Sequence, residues 1–335
     1  MNVDISVCIA NYNGAAVLRE CLDSVISQSS TAQVEILVFD DASSDESGHI
    51  AQREYPEVIS ICSDENVGFC RACNALADRA SGRFLLFLNN DASLDPGALA
   101  ALWEASQSAP ASILTLRQID AVSGELLDLG MGLDILTVPF PLKTSPSEQL
   151  VTCIGACLWV SAALFDEAGQ FPDWFGSIAE DLYLCQFART RGHDVKVIAE
   201  HSYRHHSGLS FGGGKADQAG QSTSYRRRYL SERNRCLVFL MFFPKRALFP
   251  LLPVWLLAWL LEAIALSVAQ RSLEPSSKIY WQAFRDVIQM RALVLEKRRN
   301  IMAGKKISAG EFLAPLSWRP TKLRYLLRHG LPSLR

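Results

Sequence analysis

Apolar residues follow two alternating rhythms over roughly the first ninety positions. Ile5–Ala10, Val34–Asp40, Val58–Cys62 and Arg83–Leu88 are short, nearly unbroken apolar runs, the pattern of strands. Arg83–Leu88 is the most continuous and reads as a strand covered on both faces. Between them, Ala15–Gln28 is amphipathic at helical spacing, Asp45–Glu54 reads as a polar helix, and Asn66–Ala80 supplies another. Strand and helix taking turns in this way predict an α/β fold, a doubly wound, mostly parallel sheet with crossover helices on both faces.

A different pattern begins beyond residue 220. Ala247–Ala269 is a 23-residue stretch with one charge, Glu262, long enough to cross a bilayer. Basic residues flank both ends, Lys245-Arg246 before and Arg271 and Lys278 after, so the charge bias selects no orientation. Pro250 and Pro253 interrupt the first turns, and Trp255 and Trp259 favour an interface. The expectation is a re-entrant or interfacial helix rather than a true span. Ile279 to Arg299 sets Trp281, Phe284, Ile288 and Leu295 among Arg285, Arg291, Lys297, Arg298 and Arg299. It reads as a basic amphipathic helix for an anionic membrane surface, the alternative being a helix packed on its own protein.

Charge sharpens this division. The net charge of −2 conceals 28 Asp/Glu against 10 Lys/Arg in residues 1–200, a net of −18, and 7 against 23 in residues 201–335, a net of +16. The halves are expected to meet different partners, and no nucleic-acid recognition motif accompanies the basic one. The expected organisation is a catalytic domain over 1–220, with donor binding in about 1–95 and acceptor binding in about 96–220, followed by a membrane-associating helical region over 221–335. Met1-Asn-Val-Asp-Ile-Ser6 lacks the basic and apolar segments of a signal peptide, so the catalytic half is expected in the cytosol. Nine cysteines scattered through apolar segments read as reduced core residues; Cys70/Cys73 and Cys153/Cys157 lack the context of a zinc or redox site.

Candidate chemistry gathers at the carboxyl ends of the strands, where open α/β sheets bind ligands: Asn11-Tyr12-Asn13, Asp40-Asp41, Asn66 and Asn89-Asn90-Asp91. A second acidic pair, Glu180-Asp181, follows a Trp/Phe-rich stretch. Oxygen ligands suit hard divalent ions, and such ions suit diphosphates, so the pairing points to metal-assisted sugar transfer. Read locally, Asn89-Asn90-Asp91 is equally a capping turn, and Glu180-Asp181 the acidic start of a helix. No G-x-G-x-x-G follows the first strand, which argues against a dinucleotide enzyme, and Gly212-Gly-Gly-Lys215 lacks the phosphate-loop spacing and reads as a flexible loop.

Taken in order, Ser6-Val-Cys-Ile-Ala-Asn-Tyr-Asn13, Glu35-Ile-Leu-Val-Phe-Asp-Asp-Ala-Ser-Ser-Asp45, Glu65-Asn-Val-Gly-Phe69, Phe87-Leu-Asn-Asn-Asp91, Gly155-Ala-Cys157 and Glu180-Asp-Leu182 resemble the inverting family 2 glycosyltransferases. The nearest resemblance is to the rhamnosyltransferase-like branch that builds bacterial cell-surface polysaccharides, over about residues 4 to 240. It implies a GT-A fold and a role for each matching position. Asp40 would read the uracil or thymine base; Tyr12 would stack on it; Asn11, Asn66 and Arg71 would touch ribose or phosphate, with Asn13 and Asn90 completing the donor set. For Arg71 a solvated helix charge is an equal alternative. Asp91 and His205 would hold Mg2+ or Mn2+, and Asn89 departs from the family's usual Asp-x-Asp. Asp181 would be the catalytic base, supported by Glu180.

The resemblance further implies a nucleoside diphosphate sugar donor, best read as dTDP-rhamnose with UDP-sugars open, and a lipid-linked glycan acceptor at the cytoplasmic face of the plasma membrane. Two rivals stand beside it. One is an inactive membrane scaffold or sugar-binding subunit, motivated by Asn89. The other is a GT-A-like nucleotidyltransferase, which the segment after Ala10 disfavours because it lacks a Gly-rich basic loop.

Overall fold

The computed structural model describes residues 3–144, 150–206, 216–217 and 220–334. The expected loop at Gly212–Lys215 lies outside the described residues. The first elements follow the hydrophobic pattern closely: β1 (Ile5–Asn11), α1 (Leu18–Ile26), β2 (Val34–Asp40), α2 (Ser47–Glu54), β3 (Ile59–Cys62), α3 (Phe69–Arg79) and β4 (Phe84–Leu88). Every residue of β4 is buried, as its uninterrupted apolar run requires. α1 turns Leu18, Cys21, Leu22 and Val25 onto the sheet, a three-and-four spacing that puts one face in the core.

Next come β5 (Ala92–Leu94), α4 (Ala98–Ser108), β6 (Ile113–Asp120), β7 (Leu126–Asp128), β8 (Met131–Leu133), β9 (Pro139–Pro141), β10 (Cys157–Ser161), α5 (Ala162–Glu167), α6 (Glu180–Thr190) and β11 (Val195–His205). The main sheet has nine strands in the order β3-β2-β1-β4-β10-β6-β11-β5, with β7 paired to β6. Strands β3, β2, β1 and β4 are parallel, as expected. Beyond β4 the sheet is mixed: β10 runs antiparallel to β4 and β6, and β5 antiparallel to β11. A core of Phe84, Trp159 and Trp103 fixes this junction, with Phe84 and Trp159 stacked at 5.3 Å and Trp103 edge-on to Phe84 at 6.0 Å.

Two compact units emerge. The first takes in Met1–Met131, Pro141–Ala188 and His193–His206; the second, Gly132–Phe140, Arg189–Gly192 and Ser207–Arg335. In the second unit lie β12 (Ala216–Asp217), β13 (Gly220–Thr223), α7 (Tyr225–Phe242), α8 (Lys245–Gln270), a π-helical turn at Ser276–Trp281, α9 (Gln282–Gln289), α10 (Arg291–Ala303), α11 (Ala309–Leu313), α12 (Thr321–His329) and β14 (Ser333–Leu334). The single amphipathic helix expected over Ile279–Arg299 is thus divided, with a break at Met290 between α9 and α10. Arg298, expected on a basic surface, is buried instead and donates to the carbonyls of Leu240, Met241 and Phe243, closing the carboxyl end of α7.

The second unit is organised by a buried charge cluster. Glu232 of α7 has no exposed surface, and its carboxylate accepts from Trp259 Nε1 at 2.9 Å, Lys322 Nζ at 2.7 and 2.8 Å and Arg235 at 3.1 Å. Arg228 Nε lies 3.2 Å from the same carboxylate. Glu262 of α8 receives Lys322 Nζ at 2.6 Å and pairs with Arg228. Burial alone would raise the Glu232 carboxyl's pKa, but the three cations hold it well below the usual carboxylate range. Replacing Glu232 by Gln leaves Arg228, Arg235 and Lys322 with Glu262 as the one carboxylate of the cluster. We expect the urea midpoint of Glu232→Gln to report a loss of about 3 to 5 kcal/mol; an unchanged midpoint would show that the cluster is not a stabilising element.

Candidate active site

The parallel register brings the ends of β1 and β2 level, with Asn11 paired to Asp40. Asn11, buried at the tip of β1, donates from Nδ2 to Asp40 Oδ1 at 2.8 Å and to Ser47 Oγ at 2.9 Å, while its Oδ1 accepts from Asn90 Nδ2 at 2.8 Å. Its amide is engaged at both ends, which makes it a brace among three loops. Gly14 is what lets these amides meet: a Cβ there would fall 2.3 Å from both Asn11 Oδ1 and Asn90 Nδ2. Asn13, at a left-handed φ of 52°, accepts at Oδ1 from the Ser44 amide at 2.8 Å. Tyr12 stands 53% exposed beside them, an aromatic face free for stacking.

Asp40 is buried, and its carboxylate accepts from the Ser43 hydroxyl at 2.6 Å and the Ser43 amide at 3.1 Å as well as from Asn11. Asp41 does work that its place in the sequence did not disclose. Its carboxylate accepts from the Val67 and Gly68 amides at 2.6 and 3.0 Å, and its carbonyl accepts from Asn66 Nδ2 at 3.2 Å. The turn before α3 is therefore tied to the end of β2. Arg71, in the first turn of α3, is exposed, with Nε 3.7 Å from the Asp173 carboxylate.

After β4 the chain turns through Asn89-Asn90-Asp91 into β5. Because β5 runs antiparallel to β11 with Ala92 opposite His205, Asp91 and His205 become neighbours across 114 residues of sequence. Asp91 is 2% exposed, and its Oδ1 lies 3.1 Å from His205 Nε2. On the far side, His205 Nδ1 is 2.8 Å from Gln118 Nε2, and the Tyr203 hydroxyl donates to Gln118 Oε1 at 3.1 Å. This relay orients the imidazole toward Asp91. On the neighbouring strand β7, burial pushes the Asp128 carboxyl up to about 6 against the opposing hydrogen bond from the Gly130 amide.

The second acidic pair reaches this region through residues 155 and 156. The Gly155 amide donates to Asp181 Oδ2 at 2.9 Å, and the Asn89 amide donates to the Ala156 carbonyl at 3.0 Å. One residue of backbone thus separates the anchor of Asp181 from the anchor of the Asn-Asn-Asp turn. Asp181 Oδ1 also accepts from the Leu182 amide at 2.6 Å at the amino end of α6. Burial raises the Asp181 carboxyl above its ordinary value, opposed by these amide bonds. Glu180, beside it, is buried.

The loop leading to the pair carries unusual backbone. Ile178 and Ala179 are consecutive left-handed residues, with φ of 71° and 69°, and Gly176 precedes them at 71°. A β-branched residue at positive φ is strained and needs its surroundings to hold it there. Asn74 of α3 supplies part of that hold, donating to the Phe171 carbonyl and to Asp173 Oδ1, both at 2.8 Å, and accepting from the Phe171 amide at 3.0 Å. Trp174, half-buried, sits edge-on to buried Phe175 at 4.7 Å.

As a metal site the donor set is small. Among the described residues no group of three or more His, Cys, Asp or Glu side chains converges. Asp91 with His205 offers one carboxylate and one imidazole, which fits a cation that draws its remaining ligands from diphosphate and water. All nine cysteines carry free thiols. Cys153 Sγ lies 3.7 Å from Cys185 Sγ on α6, a proximity that the Cys153/Cys157 spacing did not suggest.

Comparison with known proteins agrees with this architecture. Residues 6–165 match the family described as glycosyl transferase family 2. The acid pair and His205 lie beyond that stretch. The succinoglycan biosynthesis protein ExoO of Rhizobium meliloti is 30% identical over 145 residues, 43% of this chain and 41% of that protein. The chain spans less than half the length of the first curated relatives it matches. Among solved structures, GalNAc-T7 with UDP, GalNAc and Mn2+ superposes with a TM-score of 0.64 at 14% identity, over 98% of this chain and 58% of that one. TarS 1-349 of S. aureus does so at 0.57 and 16% identity, over 95% and 93%. At these identities the likeness is one of fold. Over residues 6–165, just under half its length, the chain is therefore similar to glycosyl transferase family 2, and its mixed α/β sheet is that of the GT-A fold.

Proposed function

We propose that the protein is an inverting glycosyltransferase that moves a sugar from a nucleoside diphosphate donor to a polyprenyl-linked or polysaccharide acceptor. The observation that carries this reading is Asp181, a carboxylate whose pKa burial raises, anchored one backbone residue from the Asn-Asn-Asp turn. A base with a raised pKa is better matched to removing a hydroxyl proton near neutral pH. In the proposed reaction, Asp181 takes the proton of the acceptor hydroxyl as that oxygen attacks the anomeric carbon opposite the diphosphate. Glu180 supports Asp181 from the preceding position, and Trp174 offers an aromatic face to the acceptor sugar.

The donor is dTDP-rhamnose or a UDP-sugar, with Asp40 facing the base, Tyr12 stacking on it, and Asn66 and Arg71 beside ribose and phosphates. Asn11, Asn13 and Asn90 hold the donor loops in place. Asp91 and His205 would hold Mg2+ or Mn2+, which neutralises charge on the departing diphosphate. The proposed location is the cytoplasmic face of an anionic membrane, peripheral or re-entrant; the apolar α8 and the basic second unit support membrane attachment, which suits a lipid-linked acceptor. Asn89 favours a rival reading, a sugar-binding subunit without turnover; the shared anchoring of Asp181 and the Asn-Asn-Asp turn at residues 155 and 156 speaks for catalysis.

Thermal shift with UDP and dTDP, each with and without Mn2+, tests donor binding, since selective binding stabilises the native state. We expect metal-dependent stabilisation by at least one nucleotide, retained in Asp181→Asn while transfer falls by about a hundredfold or more. Retained binding with unchanged turnover would remove Asp181 as the base. The raised pKa has a second consequence, in stability. A carboxyl whose folded pKa is raised costs stability as pH climbs through that value. Asp181→Asn should therefore gain on the wild type as pH rises from about 4 to 8 in paired denaturation curves, and a constant difference would contradict the buried carboxylate.

A further inference from the structure

The hydropathy of α8 leaves open whether the helix crosses a membrane or lies along it, and the second unit carries an answer. By length and composition α8 could cross a bilayer. Its inner face, Leu251, Trp255, Trp259, Ala263 and Leu266, is buried. The opposite face is exposed and wholly apolar from Phe249, 72% exposed, through Leu257 and Leu261 to Val268, 71% exposed. With Pro253 and Ile264, both exposed, these positions recur at three- and four-residue steps, so they form one stripe along the helix. Contiguous apolar exposure of this kind marks an interaction surface.

Glu262 decides the orientation. It projects from the inner side, where Lys322 of α12 donates to it at 2.6 Å and Arg228 of α7 pairs with it. Those cations also clasp the fully buried Glu232. A spanning α8 would take this cluster of charges to bilayer depth, where ionisable groups are costly. Lying flat, α8 keeps the cluster on the protein side. The ends agree: Lys245 and Arg246 are exposed at one and Arg271 at the other. Equal basic flanks give a span no preferred direction, but they place both ends of a flat helix at the headgroups of one anionic leaflet. Pro250 and Pro253, on the exposed side, leave carbonyls unpaired that water and headgroups at an interface can satisfy.

We propose that α8 is an in-plane helix whose outer stripe is seated in a single leaflet of an anionic bilayer, with the Glu232–Glu262 charge clasp fixing that stripe outward. This deepens the membrane attachment argued above and rests on it.

The test places a fluorescent non-natural residue singly at Val254, Leu257, Leu261 and Val268 of the full chain, with phosphatidylcholine–phosphatidylglycerol vesicles carrying bromine at a shallow or a deep acyl position. All four sites should be quenched to a similar extent and more by shallow bromine. A graded profile, deepest in mid-helix, would mean a span and overturn the proposal. Leu257→Glu with Leu261→Glu should lower vesicle partitioning by about tenfold or more, with folding checked by circular dichroism. Unchanged partitioning of the folded variant, or no vesicle binding with a wild-type dimer that the substitutions dissociate, would also overturn it. Nucleotide thermal shift in the same samples reads the transferase proposal separately: a response that survives while membrane binding fails sinks only the in-plane helix.

Discussion

One buried primary amide holds the candidate site together. Asn11 closes β1, and the two ends of its side chain bind the end of β2, the start of α2 and the turn after β4. A buried amide left unsatisfied at either end would cost about 1 to 3 kcal/mol, so the three loops are held to one arrangement. Gly14 belongs to the same constraint, because any side chain there would occupy the space in which the two amides meet. Asp41 extends the network to the turn before α3, and residues 155 and 156 carry it to Asp181. The site is less a cluster of catalytic groups than a lattice of loop-to-loop hydrogen bonds with a few side chains left facing outward.

Much of this was legible from local pattern. Continuous apolar runs marked the parallel strands to within a residue or two, most plainly in β1 and β4, where burial on both faces leaves little else to encode. The Asn and Asp clusters at the strand ends marked the ligand edge for the same topological reason. What stayed hidden depends on pairing between distant segments. The antiparallel insertion of β10 and the β5–β11 pairing that joins Asp91 to His205 have no short-range signature. Asn11 read as a group for the ligand, and its saturation by three protein partners appears only once the loops are assembled. Asp41 and Gln118 passed without a role because each acts on a neighbour rather than on the chemistry.

The second unit shows a comparable division. The composition of α8 was plain, but its sidedness was not, since Leu and Trp are apolar whichever way they face. Sidedness comes from Glu262, the one charge in the stretch, whose partners sit on α7 and on α12, sixty residues further on. Arg298 makes the complementary point: its place in a basic run suggested a surface charge, whereas three backbone carbonyls at the end of α7 supply its actual environment.

The consecutive left-handed residues before the acid pair make chain length matter as much as side-chain identity. Ile178 and Ala179 have few alternative conformations through which to absorb an extra residue. An insertion or deletion between Phe175 and Glu180 would turn the start of α6 by about 100° and carry Asp181 away from the Gly155 amide. Evolution can trade residues in this linker for glycine or asparagine, but the number of steps between the aromatic loop and the helix is fixed by geometry.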